Sequence, residues 1–285
     1  MQQKLFKKQE LKKKNFYAWL KQVLVDHGWE NISSKPSTDF DVFYSKGESG
    51  KDELFFQMKE YTSTSTNDNL SGSVERFFDV KLLKKYTPGL PGQAGILDRS
   101  NEAFQRLQIS TSTISLNADM TVYYNINKNR IIMMTEFPVG LGEHSVLNMI
   151  GRPNEHLSKY YPDGSMMTFT TTSLNGISLA VDEADGTRKS SFAMESLEMI
   201  APKARNSSGM YFMSELAVKT SNDIKAVIEG VYVVPTDSAY NNSSNRGDIL
   251  VDKDGNKYRM FYLATRTSSS YPYYLPTRSM ALMIE

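Results

Sequence analysis

Histidine and carboxylate side chains could hold a metal ion or transfer a proton, but few of them are suitably spaced in this chain. Three histidines are present, at positions 27, 144 and 156. Glu143 precedes His144 and Glu155 precedes His156, so these four side chains contain the nitrogen and oxygen donors of a zinc site. Their spacing matches neither the helical nor the hairpin pattern of zinc ligands. The favoured interpretation is polar loop residues, with a catalytic metal as the alternative. His27 is expected at a helix end, where a cation interacts favourably with the helix dipole.

Asp252, Asp254 and Asn256 alternate along the chain as the first ligands of a calcium-binding loop do. Such a loop requires glycine at its sixth position and glutamate at its twelfth, because the chain must turn sharply and close with a bidentate carboxylate. Here the two positions hold Lys257 and Leu263. The sequence therefore predicts a hairpin turn at this point and no calcium site.

Other signatures of catalysis and phosphate binding are missing from the sequence. There is no cysteine, which excludes thiol catalysis and thiolate zinc sites. Gly140-Leu141-Gly142 lacks the third glycine of a dinucleotide-binding loop, and neither a Gly-Lys-Ser/Thr nor a Gly-x-Ser-x-Gly motif occurs. The acidic residues of 182–185 precede Gly186, and turns select aspartate for its hydrogen bonds to the backbone. We therefore expect no catalytic residue, no cofactor and no metal, and hence no enzyme.

Composition indicates a folded, soluble protein without a strong electrostatic preference. Of the 285 residues, 40% are hydrophobic and 11% aromatic, which is enough for one large domain or two small ones. Lys and Arg number 33 against 32 Asp and Glu, so no global field favours nucleic acid or a membrane. The longest apolar runs, such as 131–134, are far shorter than the roughly 20 residues that a membrane-spanning helix needs.

An amphipathic helix is predicted near the N-terminus. Apolar residues recur at three- and four-residue spacing from Phe16 to Leu24, and Gly28 stands where a C-cap glycine ends a helix. Positive charge opposes the helix dipole, so we expect the residues before about Lys12 to form an extension. The predicted domains are a basic arm with the amphipathic helix, residues 1–28, and a β-rich domain, residues 29–285, with a subdivision near residue 200 as an alternative.

Lysines are concentrated in the N-terminal arm. The arm could contact nucleic acid or an acidic neighbouring subunit. A solvated terminal arm is the favoured interpretation, because no aromatic residues are interleaved with the lysines. The lysines concerned are Lys4, Lys7, Lys8, Lys12, Lys13 and Lys14.

Short β-strands separated by turn residues are predicted for the rest of the chain. Strand-like runs flank Asn175-Gly176, Asp254-Gly255 and Asn127-Lys128-Asn129, which are typical of hairpin turns. The predicted fold class is α+β, mostly β, with an N-terminal amphipathic helix followed by antiparallel sheets built from hairpins. Further strands are expected at 39–44, 54–58, 211–219, 226–234 and 279–284.

Three segments are less regular. Residues 61–73 are polar and predicted as a loop, whereas 74–86 is ambiguous and fits a short helix. Ser221 could cap a helical turn at Asn222 in place of a strand. Two prolines exclude a central strand at 271–276, so we expect an extended surface segment there that faces a subunit contact.

Methionines occur in pairs within the predicted strands. Met133-Met134 and Met166-Met167 are adjacent, and Met280 and Met283 belong to one apolar run. Consecutive residues of a strand point to opposite faces, so both faces of these strands must be covered. Because few helices are predicted, a neighbouring subunit could cover them, which is the one hint of assembly in the composition.

Short motifs follow one another in a recognisable order along the chain. The first group runs from Trp19-Leu20 and Gly28-Trp29 to the stretch 44–55, which contains Tyr44-Ser45-Lys46-Gly47, Gly50, Asp52 and Leu54-Phe55. The second comprises 123–132, 151–153 and 160–164, and the third comprises 228–233, 247–249, 258–261 and 266–267. Together these motifs resemble virion structural proteins of tailed bacteriophages, from the head–tail neck, the tail or the baseplate.

This resemblance implies a particle component rather than an enzyme, and it transfers no catalytic residue. It implies a ring at the head–tail junction or in the tail, with a tail-completion or connector role, because repeated heterologous contacts close into rings. The implied partners are copies of the chain and neighbouring neck, tail or baseplate proteins, and the location is the virion after synthesis in the host cytoplasm. The alternative is a baseplate or tail-tip component that binds or hydrolyses host cell-wall polymer, with sugars stacking on Tyr271, Tyr273 and Tyr274.

Overall fold

A computed structural model describes residues 5–33, 40–64, 74–90, 95–99, 105–109, 114–138, 145–152, 166–172, 176–182, 188–189, 213–220, 223–234, 247–262 and 279–284. The elements in chain order are β1 (Lys7–Lys12), a 3-10 turn (Lys13–Asn15), α1 (Phe16–Asp26), β2 (Glu30–Asn31), β3 (Asp41–Ser45), β4 (Leu54–Thr64), β5 (Val74–Thr87), β6 (Ile96–Arg99), β7 (Gln105–Gln108), β8 (Asp119–Ile126), β9 (Arg130–Glu136), β10 (Val146–Gly151), β11 (Met167–Thr172), β12 (Gly176–Asp182), β13 (Arg188–Lys189), β14 (Ser214–Thr220), β15 (Asp223–Val234), β16 (Ile249–Val251), β17 (Lys257–Tyr262) and β18 (Ser279–Met283).

These strands form three sheets, and each of their pairings is antiparallel. The central sheet has seven strands in the order β1-β8-β9-β10-β11-β12-β13. The N-terminal sheet has six strands, β2-β3-β4-β5-β6 with β7 also paired to β5, and the C-terminal sheet has five, β14-β15-β18-β17-β16. The α+β, mostly β fold class is thereby confirmed.

The central sheet is covered on both faces by the rest of the same chain. Ile131 and Met133 of β9 are buried in a core that also contains Phe56 of the N-terminal sheet and the apolar side of α1. Ile132 and Met134 point the other way, into a core shared with the C-terminal sheet. Met133 and Met134 are both fully buried within the chain. No neighbouring subunit is therefore needed to cover these two methionines, because each face packs against another sheet of the chain.

Helix α1 has the predicted amphipathic pattern and the predicted end. Its buried residues are Phe16, Leu20, Val23 and Leu24. Beyond Asp26 the backbone reverses at Gly28, whose φ is +88°, and the Trp29 amide donates a hydrogen bond to the Leu24 carbonyl at 3.0 Å. This is a Schellman-type end, in which a left-handed glycine lets the last carbonyls find donors.

The N-terminal arm is a strand, which corrects the expectation of an extension before Lys12. β1 pairs with β8 over six residues, from Lys7 opposite Tyr124 to Lys12 opposite Asp119. Just before it, Phe6 is buried and its amide donates to the Met283 carbonyl at 2.8 Å. An edge strand leaves lysine ammonium groups in water while its backbone is paired, so a lysine-rich composition does not prevent strand formation here.

At the hairpin of β4 and β5, the first four residues of the predicted loop belong to a strand, and the ambiguous segment 74–86 is also a strand. β4 continues to Thr64, and its residues 61–64 pair with Phe77, Arg76, Glu75 and Val74. β5 is a strand of 14 residues rather than a short helix. Phe78, Val80 and Leu82 are buried at a spacing of two, which suits a strand with one face on the core. Of the predicted loop 61–73, residues 65–73 lie outside the described part of the chain.

The predicted hairpins β8–β9 and β16–β17 are present, and β14 pairs with β15 from Thr220 opposite Asp223. β11 and β12 also form the predicted hairpin, with Gly176 opposite Thr172, and residues 173–175 between them lie outside the described residues. The strand predicted at 279–284 is β18, the middle strand of the C-terminal sheet, with Met280, Ala281 and Leu282 fully buried. Residues 271–276 and the domain boundary near 200 lie outside the described residues.

Candidate functional site

The histidines and glutamates weighed as metal ligands are divided by what the structure describes. Glu143, His144, Glu155 and His156 lie outside the described residues, and within those residues there is no group of three or more metal-ligating side chains. His27 lies directly after α1, as expected, and its Nδ1 is 2.7 Å from the Val23 carbonyl oxygen. The imidazole therefore caps the last turn of the helix.

The Asp252 turn is a hairpin turn, as predicted, and its carboxylate accepts four hydrogen bonds from residues 254–258. Oδ1 accepts hydrogen bonds from the amides of Asp254 and Asn256, at 2.8 and 2.9 Å. Oδ2 accepts from the Asn256 side-chain amide at 2.7 Å and from the Tyr258 hydroxyl at 2.8 Å. These bonds, above all the one from the Asn256 side chain, lower the pKa of Asp252 to about 2. The carboxylate, which stays charged at neutral pH, stabilises the turn through these bonds.

The N-terminal lysines do not form one continuous basic surface. Lys13 is completely buried, and its ammonium group donates to the Ile114 carbonyl at 2.8 Å. It therefore cannot contact nucleic acid, whereas Lys4 lies outside the described residues. The lysines with exposed side chains are Lys7, Lys8, Lys12 and Lys14.

Three loops from two sheets meet beside the central sheet, and we call this contact the loop junction: 45–52, 127–130 and 151–152. The Ser45 hydroxyl donates to the Lys128 carbonyl at 2.6 Å. The Glu48 amide donates to Asn129 Oδ1 at 2.8 Å, and the Lys128 amide donates to Glu48 Oε1 at 3.1 Å. The turn after β3 and the β8–β9 turn are therefore held by reciprocal hydrogen bonds.

The third loop adds an ion pair to the loop junction. Arg152 Nη2 donates to Asp52 Oδ1 at 3.0 Å, and the two side chains are only 14% and 13% exposed. The Arg152 amide also donates to the Asn129 carbonyl at 2.8 Å. Gly151 has φ +122° and lies so close to this carbonyl that a Cβ there would overlap the oxygen. Glycine is thus required where the three loops meet.

Two further ion pairs join the central sheet to the C-terminal sheet. Arg130 Nη2 is 3.2 Å from Glu229 Oε2, and Arg259 Nη2 is 3.1 Å from Glu136 Oε2. The Arg259 guanidinium also lies over the ring of Tyr123, 5.3 Å from its centroid. Partly buried pairs of this kind are costly to break, because the remaining charge loses its partner in a poorly solvated position. They fix how the two layers are oriented.

A tyrosine and an aspartate connect α1 to the N-terminal sheet. The Tyr17 hydroxyl lies 3.1 Å from both Asp41 Oδ2 and the Met58 carbonyl oxygen, and the Lys21 ammonium group is 3.3 Å from Asp41 Oδ2. Burial, reinforced by the nearby Asp41 charge, raises the pKa of Tyr17 far above its ordinary value. The phenol therefore remains a donor at any physiological pH, which suits a structural contact rather than proton transfer.

One edge of the C-terminal sheet exposes apolar side chains. Ile249 is 46% exposed and Val251 is 62% exposed, and both belong to β16, the last strand of that sheet. Large exposed apolar residues on a sheet edge are a common feature of strand-to-strand contacts between chains.

Sequence reasoning missed the loop junction and the two inter-sheet ion pairs. The partners Arg130 and Glu229 are 99 residues apart in the chain, and Arg259 and Glu136 are 123 apart, so no local spacing indicates them. The tyrosines 271, 273 and 274, on which sugar binding would depend, lie outside the described residues.

No described helix has the length and apolar character needed to cross a membrane. Comparison with protein-family models, curated proteins and solved structures finds no match to this chain.

Proposed function

We propose that this chain is a non-enzymatic structural protein of a tailed-phage particle, assembled as a ring at the head–tail junction or in the tail. One observation carries the proposal. The three groups of motifs that resemble phage virion proteins are distant in sequence, yet the loop junction joins the first to the second through Asp52 and Arg152. The pair of Arg130 with Glu229 joins the second to the third. The shared motifs therefore contribute to the joints between layers.

A role in assembly fits the chemistry of these joints. A particle component must keep its layers in one orientation while neighbouring proteins contact it, and ion pairs with geometric preferences restrict sliding between sheets. Glycines at φ +65° and +122°, Gly47 and Gly151, are placed at the same contacts. The partners proposed are copies of the chain and the neighbouring neck, tail or baseplate proteins, in a virion assembled in the host cytoplasm.

Contact with nucleic acid is a minor part of the proposal. The exposed lysines belong to β1 and the turn after it, where Lys8 and Lys12 already form ion pairs with Glu10 and Asp119. A DNA-binding surface requires an excess of cations that follows the phosphate backbone. Protein neighbours are therefore the favoured partners of β1.

Gold-labelled antibodies raised against the purified chain test the proposal on intact particles. Label at the neck or along the tail is the expected result. Label restricted to the distal tip would favour the alternative of a baseplate component that acts on cell-wall polymer. Particles that carry no label, while the denatured particle proteins also fail to react with the antibody, would refute the proposal.

A further inference from the structure

The C-terminal sheet ends on an exposed edge that is chemically suited to another strand. β16 pairs with β17 on one side, and among the described strands it has no neighbour on the other. An edge strand presents backbone amides and carbonyls that a further strand can pair with. Ile249 and Val251 point to the same face, because alternate residues of a strand share a face. Both ends are acidic, with Asp248 before the strand and Asp252 after it.

The central sheet ends on an edge of opposite charge. β1 contains Lys7, Lys8 and Lys12 against a single Glu10, and it is the first strand of its sheet. The ion pairs of Lys8 and Lys12 are exposed, with lysine side chains 52% and 45% accessible. Exposed pairs contribute little to stability, so these lysines can exchange partners at small cost.

We propose that β16 of one copy of this chain pairs with β1 of a second copy. In antiparallel register, Asp248 lies opposite Lys12 and Asp252 lies opposite Lys8. Ile249 then lies opposite Leu11, which is partly exposed in β1 and packs on its own core. The four-residue spacing of the two aspartates therefore equals that of the two lysines, while Ile249 and Leu11 share the other face.

Other edges fit β16 less well. Two copies of β16 paired with each other would bring Asp248 of each opposite Asp252, and like charges directly opposite are destabilising. β14 contains one Glu and one Lys, β6 contains one Asp and one Arg, and β7 contains a single Arg. β2 contains Glu30 without a cation, and β13 has only two residues. The contact joins two different edges, so it repeats from copy to copy and can close into a ring. It thus rests on, and deepens, the proposed function.

A charge exchange between the two edges tests this contact in the full-length protein. Asp248→Lys and Lys12→Glu each place like charges opposite one another in every contact between identical copies. Each variant alone should associate at least about tenfold more weakly than the wild type in sedimentation velocity. An equimolar mixture of the two variants should recover association. The changed β16 edge of one variant then meets the changed β1 edge of the other, and the two unchanged edges meet each other, so opposite charges face each other in both contacts. The double variant should also recover it.

Two matched controls separate the contact from general effects on charge and solubility. Lys84→Glu changes an exposed lysine of the N-terminal sheet, and Ile96→Lys changes an apolar residue that is 73% exposed there. Both should associate like the wild type, whereas Ile249→Lys, which places a charge opposite Leu11, should not associate. Circular dichroism spectra that coincide for all variants check that each one folds, including Lys12→Glu, whose lysine also pairs with Asp119.

Failure of the contact can be distinguished from failure of the proposed function. A wild type that stays monomeric at all concentrations, or a mixture of Asp248→Lys and Lys12→Glu that fails to recover, would overturn the β16–β1 contact. If the chain is still labelled on particles, the proposed function stands and another surface makes the ring. Unlabelled particles would overturn the function irrespective of self-association.

Discussion

Met133 and Met134 offer the sharpest perturbation of the three-layer arrangement, because adjacent residues face different layers. Both side chains are fully buried, Met133 with the N-terminal sheet and α1, and Met134 with the C-terminal sheet. Replacing either by alanine removes apolar atoms from one interface and leaves the other intact. We expect both variants to be destabilised to a similar extent.

The magnitude follows from the atoms removed. Methionine has three more non-hydrogen side-chain atoms than alanine, and at about 0.8 kcal/mol each their transfer accounts for about 2.4 kcal/mol. The cavity that remains adds to this, so each change should cost about 3–4 kcal/mol, within the usual range of 2–5. For a chain of this size, that corresponds to a melting temperature lower by very roughly 6–16 °C.

Urea unfolding at several protein concentrations provides the assay. The two single variants should have lower midpoints than the wild type at every concentration, and Val251→Ala, at a residue that is 62% exposed, should change stability by less than about 0.5 kcal/mol. The reasoning would be refuted if Met133→Ala or Met134→Ala were silent in dilute protein and destabilising only in concentrated protein. That result would mean that a second copy, and not the chain itself, covers the face.

Three other predictions follow from the described contacts. Deleting residues 1–12 should lower the free energy of unfolding in urea by several kcal/mol, because it removes β1 and the buried Phe6. Replacing Lys7, Lys8 and Lys12 by glutamine should leave the free energy of unfolding unchanged. The pKa of Asp252 is lowered to about 2. Its carboxylate therefore stabilises the folded protein above about pH 4, and this stabilisation is lost as the pH falls towards 2. Acid unfolding of Asp252→Asn should consequently show a weaker pH dependence over this range. Gly151→Ala should lower the melting temperature, since a Cβ at φ +122° overlaps the Asn129 carbonyl, and an unchanged melting curve would contradict the geometry of the loop junction.

The features that could be predicted from the sequence are those with short-range causes. The stripe from Phe16 to Leu24 and the glycine at 28 predict α1 and its end correctly. The β16–β17 hairpin follows from Asp254-Gly255 and its flanking runs. In both cases the pattern and the structure it specifies lie within a few residues of each other, so local conformational preferences decide the outcome.

The errors have long-range causes. The lysines of β1 oppose a helix dipole, but pairing with β8, more than 100 residues later, makes the segment a strand. The sequence of β5 is ambiguous by itself, and the segment forms a strand because β4 pairs with ten of its residues. Tertiary pairing overrides local preference in both cases.

The candidate site was the least accessible to sequence reasoning. Arg152 and Asp52 are 100 residues apart, and neither has neighbours that indicate an ion pair. The resemblance to phage virion proteins included these residues without assigning them a task. Only their meeting in space shows that the motifs contribute to contacts between layers.

A symmetry-averaged reconstruction of the particle tests the central proposal most directly. The account predicts a ring at the head–tail junction or in the tail, in which each repeating unit contains three stacked sheets with the β16 edge of one unit beside β1 of the next. It would be contradicted by a reconstruction in which every density of the neck, tail and baseplate is assigned to other chains and no such three-layer unit is found.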